Sequence, residues 1–165
     1  MPKVIKNFYK LVIPKSPDSI NKVVKYGKKE GDVVVLKHRW ERFAQLYIRK
    51  ARDEGTLPDH FQGKIGVHFK LYFETQRERD GDNYSLMCKG ILDAFVKENM
   101  ICDDNHNFVD DNGRRIKVDP DRPRAEVHII EKVDPSRVVE INYGEQKSNT
   151  NSNRSEFGDY QDSRI

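Results

Sequence analysis

The chain has 165 residues, of which 36% are hydrophobic and 35% charged, which is one domain's worth of a very polar globule with enough apolar content to bury a core. No apolar run approaches the roughly eighteen residues needed to cross a bilayer, and Met1-Pro2-Lys3 leads into no signal-peptide core, so the cytoplasm is the expected compartment. Two cysteines, Cys88 and Cys102, are too few for a disulfide framework or a zinc site and are expected to be reduced thiols.

The net charge of +3 hides an asymmetry: 18 Lys and Arg stand against 9 Asp and Glu through Arg79, and 12 against 18 thereafter. A basic first half could grip a polyanion and present it to cations held by an acidic second half, because phosphate neutralisation supplies most sequence-independent affinity. A Lys-rich surface also simply keeps a protein soluble.

In chain order, residues 7–14 carry the aromatic and branched side chains of a strand, ended by Pro14 and Pro17. From Ser16 to Asp32 a loop or loose hairpin is expected, with Lys22, Lys25, Lys28 and Lys29 around Tyr26 and Gly27, a composition suited to DNA backbone contact. A short apolar run, Val33 to Leu36, precedes a helical pattern. Trp40, Phe43, Ala44, Tyr47, Ile48 and Ala51 recur at spacings of three and four, and Gly55, Thr56 and Pro58 stop the helix. Trp40 is expected in the core.

Residues 64–74 alternate as a long strand with one face buried, leaving Lys64, His68 and Lys70 on the other. Tyr84, Met87, Ile91, Ala94 and Phe95 form the apolar stripe of a second helix, with Lys89 and Asp93 four apart on its far side. Within residues 105–115, Asn112-Gly113 is a hairpin signal joining two strands. Ile116 to Val118 and Ala125 to Val133 supply the closing strands. Arg114 and Arg115, with Lys117, Arg122 and Arg124, form a second basic cluster able to make bidentate phosphate contacts. The fold class expected is α/β (α+β): a small mixed sheet carrying two main helices over residues 1–144. The polar tail 145–165 lacks the aliphatics to order itself.

Between strand and second helix stand Asp80-Gly81-Asp82-Asn83, and beyond that helix stands Asp103-Asp104. If the extended geometry persists past Gln76, Asp80 and Asp82 point to one face and could share a cation, with Asp104 closing the site. Magnesium requires only one or two carboxylates, completing its shell with water and substrate phosphate. Acidic residues beside Gly and Asn are also what ordinary turns contain. Neither acidic group has the spacing of a calcium-binding EF-hand loop.

The order Asp80-Gly81-Asp82-Asn83, Lys89, Ile91-Leu92-Asp93, Asp103-Asp104 resembles the RusA family of Holliday junction resolvases, with fainter likeness at Ser19-Ile20-Asn21-Lys22 and near Glu126. The motif covers about a sixth of the chain. The resemblance implies Asp80, Asp82 and Asp104 as magnesium ligands and Lys89 as the basic residue that supports cleavage. It further implies a homodimer acting on four-way DNA junctions by paired symmetric nicks, in recombination and repair and of the phage type. About three extra residues separate Asp82-Asn83 from Lys89 relative to the founding enzyme. A flap or fork nuclease, a branched-DNA-binding protein without turnover, and an assembly factor using its acidic turns for calcium or protein contacts are the alternatives.

Overall fold

A computed structural model describes residues 5–19 and 30–134; Lys22, Lys25, Lys28, Lys29 and the tail 145–165 lie outside the described residues. Four strands, β1 (Ile5–Ile13), β2 (Lys64–Phe73), β3 (Val109–Val118) and β4 (Arg124–Val133), form one mixed sheet in the order β1-β4-β2-β3. β4 runs antiparallel to both β1 and β2, whereas β2 and β3 are parallel. Parallel neighbours need a crossover, and α2 (Ser85–Lys97) provides it. The longer α1 (Glu30–Asp53) lies in the connection between β1 and β2. This is the small α+β fold, mixed sheet and two main helices, that the sequence patterns imply. Among the described residues no helix is long and apolar enough to cross a membrane.

One face of the sheet is sealed by the helices. Leu11 and Ile13 on β1, Ile65, Val67, Phe69 and Leu71 on β2, and Ala125, Val127 and Ile129 on β4 alternate into a single core. The helices meet this face through Trp40, Ala44, Ile48 and Ala51 of α1 and Met87, Ile91, Ala94 and Phe95 of α2. Trp40 is buried as expected, against Gly90, where an added Cβ would lie 3.4 Å from the indole Cδ1. Removing a buried indole of this kind costs about 3–5 kcal/mol, so Trp40 is a principal anchor of α1. At the far end, Glu98 accepts hydrogen bonds from Gln45, Arg49 and Arg52 of α1, tying the two helices together although the carboxylate is buried.

Two local expectations are corrected. Helix α1 begins at Glu30, so the Val33–Leu36 run lies in its first turns and Glu30–Asp32, expected in the loop, are helical. Branched side chains favour strands only weakly, and here the stripe that Leu36 shares with Trp40 decides for helix.

Asn112-Gly113 also makes no hairpin. Strand β3 continues through it beside one partner, β2, pairing Val67 with Asp111 but Phe69 with Arg114. The extra residue is a bulge. Gly113 takes φ +85°, its amide donates to the Asp111 carboxylate at 2.8 Å, and the Asn112 carbonyl lies 3.2 Å from His68 Nδ1. Asn-Gly favours left-handed backbone in either setting; pairing with β2 on both sides of it selects the bulge.

Candidate active site

Strand β2 ends at Phe73, so the extended path does not reach Asp80 and Asp82. A 3-10 turn, Gly81–Tyr84, takes its place, with Asp80 as its N-cap and Tyr84 buried against Phe73 at 5.0 Å between ring centres. The Asp80 carboxylate accepts from the Asp82 amide at 3.0 Å, meeting one of the donors that a helix start leaves unpaired. Asp80 and Asp82 are therefore brought together by capping rather than by strand alternation. The Asp82 carboxylate points outward, 93% exposed, with Arg114 Nη1 at 3.7 Å.

The bulge in β3 decides where Arg114 goes. Side chains alternate along a strand, so one extra residue moves every following side chain to the opposite face. Arg114 lands on the helix side opposite Phe69, with its aliphatic stem beside Gly81, while Arg115 pairs with Lys70 on the other face. The two arginines expected to act as one basic cluster are thus divided. Arg114 stands between Asp82 and Asp111, and its buried Nε has no hydrogen-bond partner among the described residues. Cys88 lies next to it, and burial pushes the thiol up to about 12, so it stays protonated and unreactive.

Lys89 faces Asp104. Its ammonium donates to that carboxylate and, at 3.1 Å, to Asp93, which is held from the other side by Lys37. The hydrogen bond to Asp104 is the largest influence raising the Lys89 pKa, with smaller help from Asp93 and opposition from partial burial. Partial burial raises the Asp93 carboxyl, but hydrogen bonds from Lys37 and Lys89 outweigh it, and the net shift is downward. Asp103 shapes the loop instead, accepting from the Asp104 amide and the Asn105 side chain at 2.7 Å each.

Beside Asp80 opens a cleft of about 630 Å³, lined by Asp18 and Ser19 from the segment after β1 and by Glu74, Arg77, Glu78, Arg79, Asp80 and Asn83. Arg79 lies 4.3 Å over the Phe73 ring, and its buried Nε has no hydrogen-bond partner among the described residues. Ser19 belongs to the segment faintly similar to the RusA family, and the fold carries it to the same cleft as the acidic turn. Arg79 and Lys37 escaped the sequence patterns, as did the place of Arg114 beside Asp82. A bulge that reassigns one arginine leaves no local periodicity to find, and the Lys37–Asp93 pair joins residues more than fifty positions apart.

Among the described residues no three His, Cys, Asp or Glu side chains are gathered to hold a metal ion. Asp80 is engaged in its cap and Asp104 with Lys89, so the three aspartates do not form a ready three-carboxylate cage. The donor chemistry still suits magnesium: hard oxygens, one of them on a fully solvated carboxylate, for an ion that needs only one or two of them together with substrate phosphate. The chain matches no protein-family model and no curated protein sequence.

Proposed function

We propose that the acidic turn and the Lys89–Asp104 pair form the active site of a magnesium-dependent DNA endonuclease acting on four-way junctions. The observation that carries this proposal is the bond from Lys89 to Asp104, which joins two points of the RusA-like motif fifteen residues apart. Asp80 and Asp82 would hold the ion, with Asp104 contributing once substrate phosphate competes for Lys89. Bound there, magnesium supplies Lewis-acid polarisation of a phosphodiester and a more acidic water.

The protein's own groups account for the remaining electrostatics. Arg114 and Lys89 offer fixed positive charge where a phosphate gains negative charge in its transition state. Arg79 and Ser19 line the neighbouring cleft that the DNA backbone would enter. Lys22, Lys25, Lys28 and Lys29, outside the described residues, remain proposed backbone contacts, with Arg114 assigned to the site and Arg115 to the opposite face. A homodimer with two such sites is proposed on the family resemblance, since junction resolution requires two nicks.

One observation favours a second reading. Every carboxylate of the motif already has a cation or amide partner, as in a structural network that would bind branched DNA without cutting it. Incubating the protein with a mobile four-way junction, a linear duplex and a flap, each with and without magnesium, separates the two. Symmetric magnesium-dependent cuts confined to the junction support resolution; junction binding without any cut supports the second reading, and flap cleavage supports a flap or fork nuclease.

A further inference from the structure

The face of the sheet turned away from the helices carries a charge pattern that the acidic turn does not explain. The strand registers place Lys6 and Lys10 of β1, Lys64 and Lys70 of β2, and Arg115 and Lys117 of β3 on this one surface. Arg124 and Lys132 of β4 join them, against two carboxylates, Glu126 and Asp110. Asp119 and Glu126 engage Arg124, and Asp110 engages Lys64 and Lys132. Lys6, Lys10, Lys70, Arg115 and Lys117 form no ion pair among the described residues. Such a field of solvated like charge raises the local concentration of a polyanion.

An apolar ring stands in this field. Phe8 is 71% exposed, the most exposed large hydrophobic side chain among the described residues, and it lies between Lys6 and Lys10 on the same face, opposite Ile130. A phenyl ring costs free energy in water, and a cation-ringed one suits a partner that is both anionic and flat-ringed. At the far end of the same face, six residues along β4 from Ile130, the Arg124 guanidinium lies 3.6 Å over the Tyr72 ring. Cations that track a backbone and rings that stack unpaired bases are the two components by which single-stranded nucleic acid is held without sequence preference.

We propose that this open sheet face binds single-stranded nucleic acid, with phosphates on Lys6, Lys10 and their neighbours and an unpaired base on Phe8. A duplex offers no free base to such a ring, so the surface favours unpaired strands. The proposal does not depend on cleavage, and its test is run in EDTA so that the two stand or fall separately.

The test is fluorescence anisotropy of a labelled oligothymidylate titrated with the full chain. Phe8→Ala, at a side chain that packs little, is expected to weaken binding roughly tenfold. Lys6→Glu with Lys10→Glu is expected to weaken it at least as much and to flatten the salt dependence by about 0.7 for each phosphate no longer neutralised. Lys50→Glu, on the exposed side of α1, serves as the control for net charge and is expected to change affinity less than twofold. Wild-type affinity in Phe8→Ala, or equal weakening by Lys50→Glu, overturns the proposal. So does sedimentation showing that Phe8→Ala only dissociates a dimer while oligonucleotide affinity holds, because the face would then belong to a second copy of the chain.

Discussion

Arg114 lies 3.7 Å from Asp82 because a single bulged residue in β3 turns it to the helix side of the sheet. Gly113 is the pivot, since its φ of +85° is a conformation in which a Cβ is strained even though nothing crowds the site. Gly113→Val is expected to lose about 1–2 kcal/mol of stability in urea denaturation. It is also expected to lower any nicking rate by more than that instability accounts for, since misplacing Arg114 removes a charge from the site. Nicking as fast as wild type in a folded Gly113→Val protein would disconnect the bulge from function.

Capping and metal binding at Asp80 can be separated by choice of substituent. Asn caps a helix as well as Asp, whereas Ala does not. Asp80→Asn is therefore expected to keep wild-type stability and lose magnesium-dependent cleavage, while Asp80→Ala loses cleavage and about 1 kcal/mol as well. Equal destabilisation by both substitutions, read from urea midpoints, would contradict a capping role for Asp80.

Lys89 tests the electrostatic contribution of the protein itself. Its side chain is 49% exposed, so Lys89→Met is expected to move the urea midpoint by less than about 1 kcal/mol. The same substitution is expected to lower kcat by roughly 10²-fold or more, about what a single transition-state charge supplies. A large stability loss with little change in kcat would make the lysine a structural tie between α2 and the loop at Asp104.

The pH dependence of stability should carry the mark of Glu98. Burial raises this carboxyl, but the hydrogen bonds from Arg49 and Gln45 and the charges of Arg49 and Arg52 overcome it and leave the folded value below 4.5. A carboxyl lowered on folding stabilises above its unfolded value, and that contribution disappears as the pH falls through the folded value. Glu98→Gln is expected to cost about 1–2 kcal/mol at pH 7, reduced by the solvation of Arg49. It is also expected to make the fall in urea midpoint on acidification below about pH 4.5 shallower than in wild type. Parallel midpoint profiles for the two proteins would remove Glu98 from the acid limb.

The contrast between what the chain's pattern reveals and what it hides follows from distance along the sequence. The stripe of Trp40, Ala44 and Ile48, the alternation of β2 and the Lys89–Asp93 spacing are local, and each is found where the pattern places it. The motif residues Lys89 and Asp104 do meet. Asn112-Gly113 carries the same local signal for a hairpin and for a bulge, and only pairing with β2, over forty residues earlier, distinguishes them. The face occupied by Arg114 depends on that distinction, so its approach to Asp82 could not be read from neighbouring residues. The same holds for the open basic face, whose cations are contributed by all four strands.

The central claim is that the acidic turn and Lys89 cut DNA with the help of magnesium. Its most direct measurement compares wild type with Asp82→Asn on one labelled four-way junction, scoring nicks and bound fraction in the same samples with and without magnesium. The Asp82 side chain is solvated, so Asn leaves the fold intact. Magnesium-dependent nicking by wild type and none by Asp82→Asn, with junction affinity within about twofold, is the expected result. Undiminished nicking by Asp82→Asn, or none by wild type at any magnesium concentration, would contradict the claim.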